Sequence, residues 1–471
     1  MTPFAVLATI LAYFAAMALV SWLSGRNKSG QDVFYTGGRK THWAVVAFAM
    51  IGSCMSGVTF VSVPGMVGVS GFGYLQMCIG FFLGYLVIAF VLTPLYFKLN
   101  VVSIYQYLEQ RFGLGAYRTG AWFFFLSKML GASVRLFLVC LSLQLLVFEP
   151  LGLPFWVNVA CNVGICFLYT FRNGVRSVIW TDVLKTVCMI VAVTLCVILI
   201  GKDLGGVRLH ERVFFFDDVN HPQYFWKQIL GGLFTVIAMT GLDQDMMQRT
   251  LSCKDYRDSQ KNLIVSSLLQ TVVIALFLCL GALLYQFAAA HGIPETGDRL
   301  FPAVATSPLL PGVVGVLFVL GLVSSAYGAG GSALTSLTTS FTVDILKKGD
   351  REKTRKAVHV GMAVLMAVTV IVFNALNSTS AIDAVYKLAS YTYGPILGLF
   401  AFGILTRKQV KDKYVPIVAV LSPLLCLLLQ INSDRWLGGY RFSYELLLVN
   451  AALTFLGLCL LIRRDAPAKQ K

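Results

Sequence analysis

Thirteen stretches of about twenty mostly apolar residues follow one another along this chain of 471 residues, and they restrict the fold more than any other feature. A helix of that length crosses the ~30 Å hydrocarbon core of a bilayer, where each backbone polar group must find its partner within the segment. The stretches lie near residues 4–23, 43–67, 74–97, 119–147, 154–171, 178–201, 226–248, 262–289, 311–346, 357–377, 384–405, 415–432 and 444–462. The composition agrees: 57% of residues are hydrophobic and 13% charged, with a mean hydropathy of +0.75. The expectation is an all-α polytopic membrane protein with thirteen transmembrane helices. The first stretch has no basic region before it and no clear small-residue cleavage site after it, so it reads as a helix and not as a secretory signal.

The charges orient the bundle. Of the 38 Lys and Arg, 27 fall in loops on one side and in the tail Arg463–Lys471, seven fall on the other side, and Lys128, Arg135, Lys185 and Lys387 lie within spans. Basic loops stay in the cytoplasm. The expected location is therefore the cytoplasmic (inner) membrane, with the N-terminus outside and the C-terminus inside. The net charge of +16 is then a matter of topology and calls for no nucleic-acid partner. The eleven cysteines form no CxxC and no Cys/His cluster, and the five histidines stand near span ends or in loops. No metal centre or hydrolytic site is expected. The longest extramembrane piece, Asp203–Phe225, reads as a packed loop.

Polar and ionisable groups inside a bilayer cost free energy and mark pathways. The second span carries IGSCMSGVTFVSVPG (Ile51–Gly65), whose small and hydroxylated residues suit either a helix opened midway or a close helix interface. The sixth contains WTDVLK (Trp180–Lys185), which puts Asp182 and Lys185 on one helix face. Lys185 lies about 12 Å into the membrane at ~1.5 Å per residue, and it can pair with Asp182 or snorkel to the surface. The seventh ends in GLDQDMMQR (Gly241–Arg249), read as a network at a helix end. Lys128 and Arg135, seven residues apart, share a face and can attract an anion or pair with neighbouring carboxylates or lipid phosphates.

These segments, with FYTGGRK (Phe34–Lys40), NVVSIYQYLEQRFG (Asn100–Gly113), SALTSLTTSFTVDI (Ser332–Ile345) and YGPILGLFAFGIL (Tyr393–Leu405), resemble the sodium/solute symporter family over essentially the whole chain. The resemblance implies a secondary transporter, not an enzyme, with an inverted-repeat core of the leucine-transporter type. Five spans in residues 43–201 would be repeated with opposite topology in 226–405. Residues 1–42, 202–225 and 406–471 would be a peripheral helix and loop, an extracytoplasmic loop, and two peripheral helices with a basic tail. Substrate would bind between broken helices near the midplane.

In sodium-coupled members one ion is bound by two carbonyls of the first core helix and by adjacent Ser or Thr hydroxyls of the eighth. Carried over, the carbonyls belong to Gly52 and Met55. Similar relatives read alanine-tyrosine-serine-serine-alanine-aspartate-serine-alanine-leucine-threonine where this chain has AYGAGGSALT (Ala326–Thr335). The serines fall on Gly328 and Ala329, and the aspartate on Gly331. Shifting the alignment by four residues would supply Ser324 and Ser325 instead. The family usually has glutamine three residues after the tryptophan-threonine-aspartate, where this chain has Lys185. The expectation is a degenerate sodium site in which Lys185, paired with Asp182, replaces the ion.

Coupling then involves a proton, a counter-substrate or no ion, with sodium at a shifted site as the alternative. No cofactor is expected. The partners are the lipid bilayer and a small organic solute, a sugar derivative or a carboxylate. Ser53, Ser56, Thr59, Gln76, Thr240, Tyr391, Thr392 and Tyr393 are the candidate substrate residues. A non-transporting sensor that keeps the fold is the reading from a different class.

Overall fold

The computed structural model describes all residues except 1–2, 26–40, 100–102, 171–174, 205–213, 220, 222, 349–350, 377–380, 439, 441, 443 and 464–471, and describes only the backbone of several others, among them 326–329. Among the described residues it is all-helical, with two isolated β-bridges, Thr41 with Cys253 and Val410 with Ile462. The motif at Phe34–Lys40 and the side chains of Gly328 and Ala329 lie outside the described residues.

The principal helices are α1 (Pro3–Gly25), α2 (Trp43–Cys54), α3 (Gly57–Ser70), α4 (Tyr74–Leu99), α5 (Leu114–Leu143), α6 (Phe155–Thr170), α7 (Val175–Asp203) and α8 (Phe225–Gly241). They continue as α9 (Gln244–Thr250), α10 (Tyr256–His291), α11 (Gly312–Ser340), α12 (Glu352–Leu376), α13 (Ala381–Leu405), α14 (Val415–Ile431) and α15 (Leu446–Leu460). Among the described residues eight helices are long and apolar enough to cross a membrane, or up to ten if each of two bent pairs counts as one span. Shorter apolar helices occupy 8–20, 155–168 and 446–460.

The bent pairs are the centre of the architecture. α2 and α3 meet at 60°, and α8 and α9 at 74°. At the first break Met55 and Ser56 leave the helical region for extended backbone. Helix restarts through a capping box between Ser56 and Thr59, a device that satisfies donors the interruption frees. The second span thus opens midway, and its small residues also serve close packing: a side chain at Gly52 would collide with the Thr186 hydroxyl and the Asp182 carbonyl of α7. The second break, which the sequence read as a helix end, falls at Leu242–Asp243. A π-helical turn, Ile237–Gly241, precedes it, and the Asp243 carboxylate then caps α9 by accepting from the backbone N–H groups of Asp245 (2.9 Å) and Met246 (3.1 Å).

The glycine cluster Gly328–Gly331, by contrast, does not interrupt its helix: α11 runs through it. Gly330 lets α11 approach α6, because a Cβ there would stand 2.9 Å from the Cys166 sulfur. Around the broken pairs, α2 packs on α7 and α10, α3 on α10 and α11, and α4 on α8.

The α4–α8 contact depends on the absence of side chains, the usual route to close helix approach in lipid. A Cβ at Gly80 would strike the Ile229 carbonyl, and one at Gly84 the Val236 side chain. Gly80→Leu is therefore expected to lower the thermal midpoint of the detergent-solubilised protein. Gly361→Ala, on α12 where a Cβ meets nothing within 4 Å, is expected to leave it unchanged or raise it.

Candidate functional site

The two breaks face a common cavity of about 110 Å³. Its walls come from Ser53–Ser56 and Thr59 at the first break, Met239, Thr240 and Asp243 at the second, Tyr74, Phe81 and Tyr85 on α4, and Ser127, Lys128 and Arg135 on α5. Gln270 and Ile274 on α10 and Leu388, Ala389 and Tyr393 on α13 complete it. It thus reaches from the breaks toward the end of the bundle opposite the basic loops.

Five of the eight candidate substrate residues, Ser53, Ser56, Thr59, Thr240 and Tyr393, line the cavity, as does Met55. Thr392 adjoins it by donating to the Ser127 hydroxyl (2.7 Å). Two stand elsewhere. Gln76 is locked at the far end, donating to the carbonyls of Gly73 and Gln223 (both 3.2 Å) and accepting from the Phe216 N–H (3.4 Å), so it anchors the loop after α7. The Tyr391 hydroxyl turns to Gln430 on α14. Residues one apart on a helix point about 100° away from each other, so consecutive Tyr391, Thr392 and Tyr393 cannot share one face.

Below the cavity, toward the basic end, is a dense ionic network. Arg249 of α9 is 2% exposed. Its Nε donates to Asp182 Oδ2 of α7 (3.0 Å), its Nη1 pairs with Asp245 (2.8 Å), and its Nη2 donates to the Ser332 hydroxyl of α11 (2.5 Å). Asp182 Oδ2 also accepts from Ser53 of α2 (2.8 Å). Lys128 of α5 bridges Asp243 and Asp245, each at 3.1 Å. The Tyr393 hydroxyl of α13 donates to Asp243 (2.7 Å). Apart from the Arg249–Asp245 pair within α9, the links of this network join different helices, so the charges tie the broken pairs to the rest of the bundle.

The expected Asp182–Lys185 pair is not formed, because Arg249 takes the carboxylate. Lys185 is 0% exposed, which rules out snorkelling in this conformation. Among the described residues its Nζ has no hydrogen-bond partner, and neither has Asp182 Oδ1, one turn away. The charges that act on Lys185 are Asp182, Arg249 and Arg135, and it in turn acts on Cys54 beside the first break. Ser324 and Ser325 spend their hydroxyl protons on carbonyls three residues earlier in α11 (3.0 and 2.8 Å). Gly331 is buried, and its carbonyl accepts from Thr335 (2.9 Å).

Sequence reasoning missed the polar wall that faces Arg135. Cys54 Sγ lies 3.2 Å from the Tyr85 hydroxyl, which donates to Gln270 (3.2 Å), so three helices contribute to it. Each of these residues stands alone in an apolar stretch, and only Gln270, a full amide within a span, gives a signal. Arg135 itself lines the cavity with no hydrogen bond or ion pair to a described residue.

Broken helices enclosing a polar cavity at mid-bundle define a membrane transporter. The profile of the "Sodium:solute symporter family" matches residues 34–412, and the chain belongs to that family. It is 28% identical over 446 residues to the sodium/sialic acid symporter NanT of Aliivibrio fischeri, covering 88% of this chain and 86% of that one. It is 27% identical over 458 residues to sodium-coupled monocarboxylate transporter 1 of Mus musculus, covering 92% and 72%. Its fold is similar to that of a Na+-coupled sialic acid symporter solved in a substrate-bound outward-open state, with TM-score 0.81, 21% identity and 99% of both chains covered. The protein is a transporter and not an enzyme.

Removing one partner of a buried ion pair strands the other, at a cost of about 3–5 kcal/mol. Arg249→Met is expected to destabilise the protein by roughly that amount. Combining it with Asp182→Asn and Asp245→Asn should recover part of the loss, as thermal unfolding in detergent would show.

Proposed function

We propose that this protein is a secondary transporter of a small carboxylate solute, working by alternating access across the cytoplasmic membrane. In this reading thirteen spans contain two inverted five-helix repeats, residues 43–201 and 226–405, the N-terminus is outside and the C-terminus inside. The cavity would be the outward-facing substrate site, and the Lys128–Asp243–Asp245–Arg249–Asp182 network its cytoplasmic closure.

The observation that carries the reading is Arg135, a guanidinium in the cavity wall with no ion pair to a described carboxylate. Lys128 is neutralised by Asp243 and Asp245, which leaves Arg135 to receive an anion as a bidentate donor. Both relatives described above are named for acids. Volume favours the smaller acids: a 150 Å³ cavity holds one benzene, whose six heavy atoms set about the upper limit for a cavity of about 110 Å³. The wall formed by Cys54, Tyr85 and Gln270 would then read a hydroxyl or keto group at the other end of the solute. Arg135→Gln is expected to weaken binding of a short 2-hydroxy or 2-keto acid about 10- to 100-fold, the worth of a charge-assisted hydrogen bond. Arg135→Lys should weaken it less. Thermal stabilisation by a series of carboxylates measures both, and equal stabilisation of wild type and Arg135→Gln would refute the reading.

For coupling, the reading keeps Lys185 in the role of the family's sodium ion. A buried ammonium with no hydrogen-bond partner among the described residues, on the helix whose Asp182 and Thr186 stand against Gly52 of α2, suits a fixed cation that replaces a mobile one. Gly331 offers no side-chain oxygen. Tracer uptake into proteoliposomes is expected to be independent of a sodium gradient, and Lys185→Gln is expected to abolish it. Uptake that rises steeply with sodium and survives Lys185→Gln would overturn this role. In that event one observation favours the shifted site: the Ser325 hydroxyl lies 3.7 Å from where a Cβ on Gly57 would stand, close to the first break. Ser325→Ala should then remove the sodium response.

A further inference from the structure

A second recess, of about 20 Å³, opens at the basic end of the bundle where α6, α11 and α12 meet. Thr170 closes it from α6, and Thr335, Thr338 and Thr339 from α11. Arg355, Lys356 and His359 enter from the first turns of α12. His359 is buried and links the three helices, with one ring nitrogen 2.8 Å from the Thr338 hydroxyl and the other 3.1 Å from that of Thr170. Phe167 lies against the ring at 5.2 Å. Between Lys347 and Lys356 the sequence has six basic residues against two acidic ones.

The surroundings indicate where an anion would come from. Directly beyond the recess α12 exposes Val360, Val364, Val368 and Val372, one residue per helical turn along one face. Leu168, 74% exposed on α6, extends the same surface. Such a stripe is what acyl chains cover, and it begins at the level where the basic residues sit. Basic recesses between helices beside a lipid-facing stripe hold phospholipid headgroups.

We propose that this recess binds the phosphate of an anionic phospholipid from the leaflet at the basic end of the bundle. Arg355 and Lys356 supply the charge, the Thr339 hydroxyl donates while those of Thr170, Thr335 and Thr338 give their protons to backbone carbonyls, and the acyl chains lie along the valine stripe. A void of 20 Å³ admits one group the size of a water, so a phosphate oxygen enters while the glycerol stays at the rim. Among the described residues of this segment the carboxylate is Glu352, paired with Lys356 at 2.9 Å on the exposed surface. An exposed pair of this kind is weak and yields to a stronger anion. The bound lipid would cross-link α12 to α11, the helix that packs on α7 and its Lys185.

The test uses the full-length purified protein. Native mass spectrometry with phosphatidylglycerol or phosphatidylcholine added should show preferential retention of phosphatidylglycerol by the wild type. Arg355→Gln with Lys356→Gln should weaken that retention about thirty-fold, since each basic residue near the surface contributes roughly a factor of five. Lys353→Gln, exposed on the same helix outside the recess, should change it little. Arg355→Lys with Lys356→Arg, which keeps the charge, should retain the lipid and so separates loss of binding from loss of fold. Retention by the double glutamine variant equal to that of the wild type would overturn the proposal. So would equal thermal stabilisation by millimolar inorganic phosphate and by phosphatidylglycerol nanodiscs, because the site would then take a free anion.

Discussion

The Arg249 guanidinium and the carboxylates around it are the constraint on which the rest of the bundle depends. A charge removed from water is tolerated only when it is paired and its hydrogen-bonding capacity is filled. Arg249 meets that condition by drawing one group from each of several helices: Asp182 from α7, Asp245 from its own turn and Ser332 from α11, with Ser53 of α2 behind Asp182. Without this arrangement α9 could not leave the direction of α8 by 74° and still bury a positive side chain. The break, the cavity above it and the closed floor beneath it are consequences of one set of charge pairings.

The same pairings explain the fate of Lys185. Two cations compete for Asp182, and the planar, forked guanidinium of Arg249, with five donors against three for an ammonium, reaches Asp182, Asp245 and Ser332 together. Lys185 is left buried beside a carboxylate oxygen that also lacks a partner. A buried donor and a buried acceptor one helical turn apart, both unsatisfied, mark a place that a change of conformation can complete. In the proposed cycle the network opens, and Asp182 is the group that opening would release.

Much of this was legible in the sequence because hydrophobic length and small-residue interruptions are local. The apolar runs located the helices, and the serines and glycines of Ile51–Gly65 located the first break. What is not local was harder to read. Asp182 and Arg249 are 67 residues apart, and nothing in the spacing of either says that they will meet, so Asp182 was assigned to its neighbour Lys185. The second break was read as an ordinary helix end because Asp243 is a good N-cap in either case. Gln76 and Tyr391 looked like cavity residues because polar groups within spans attract attention, yet each is satisfied by a loop or a helix that only the folded chain brings near.

The unpaired position of Arg135 has an electrical consequence. Among the described residues around the cavity and its floor are four cations, Lys128, Arg135, Lys185 and Arg249, and three anions, Asp182, Asp243 and Asp245. With each of these in its ordinary charged form they sum to one excess positive charge, which the proposed monocarboxylate on Arg135 would cancel. The loaded transporter would then present a neutral interior to the bilayer while the empty one does not. The membrane potential would act on the return of the unloaded protein, not on the passage of its cargo.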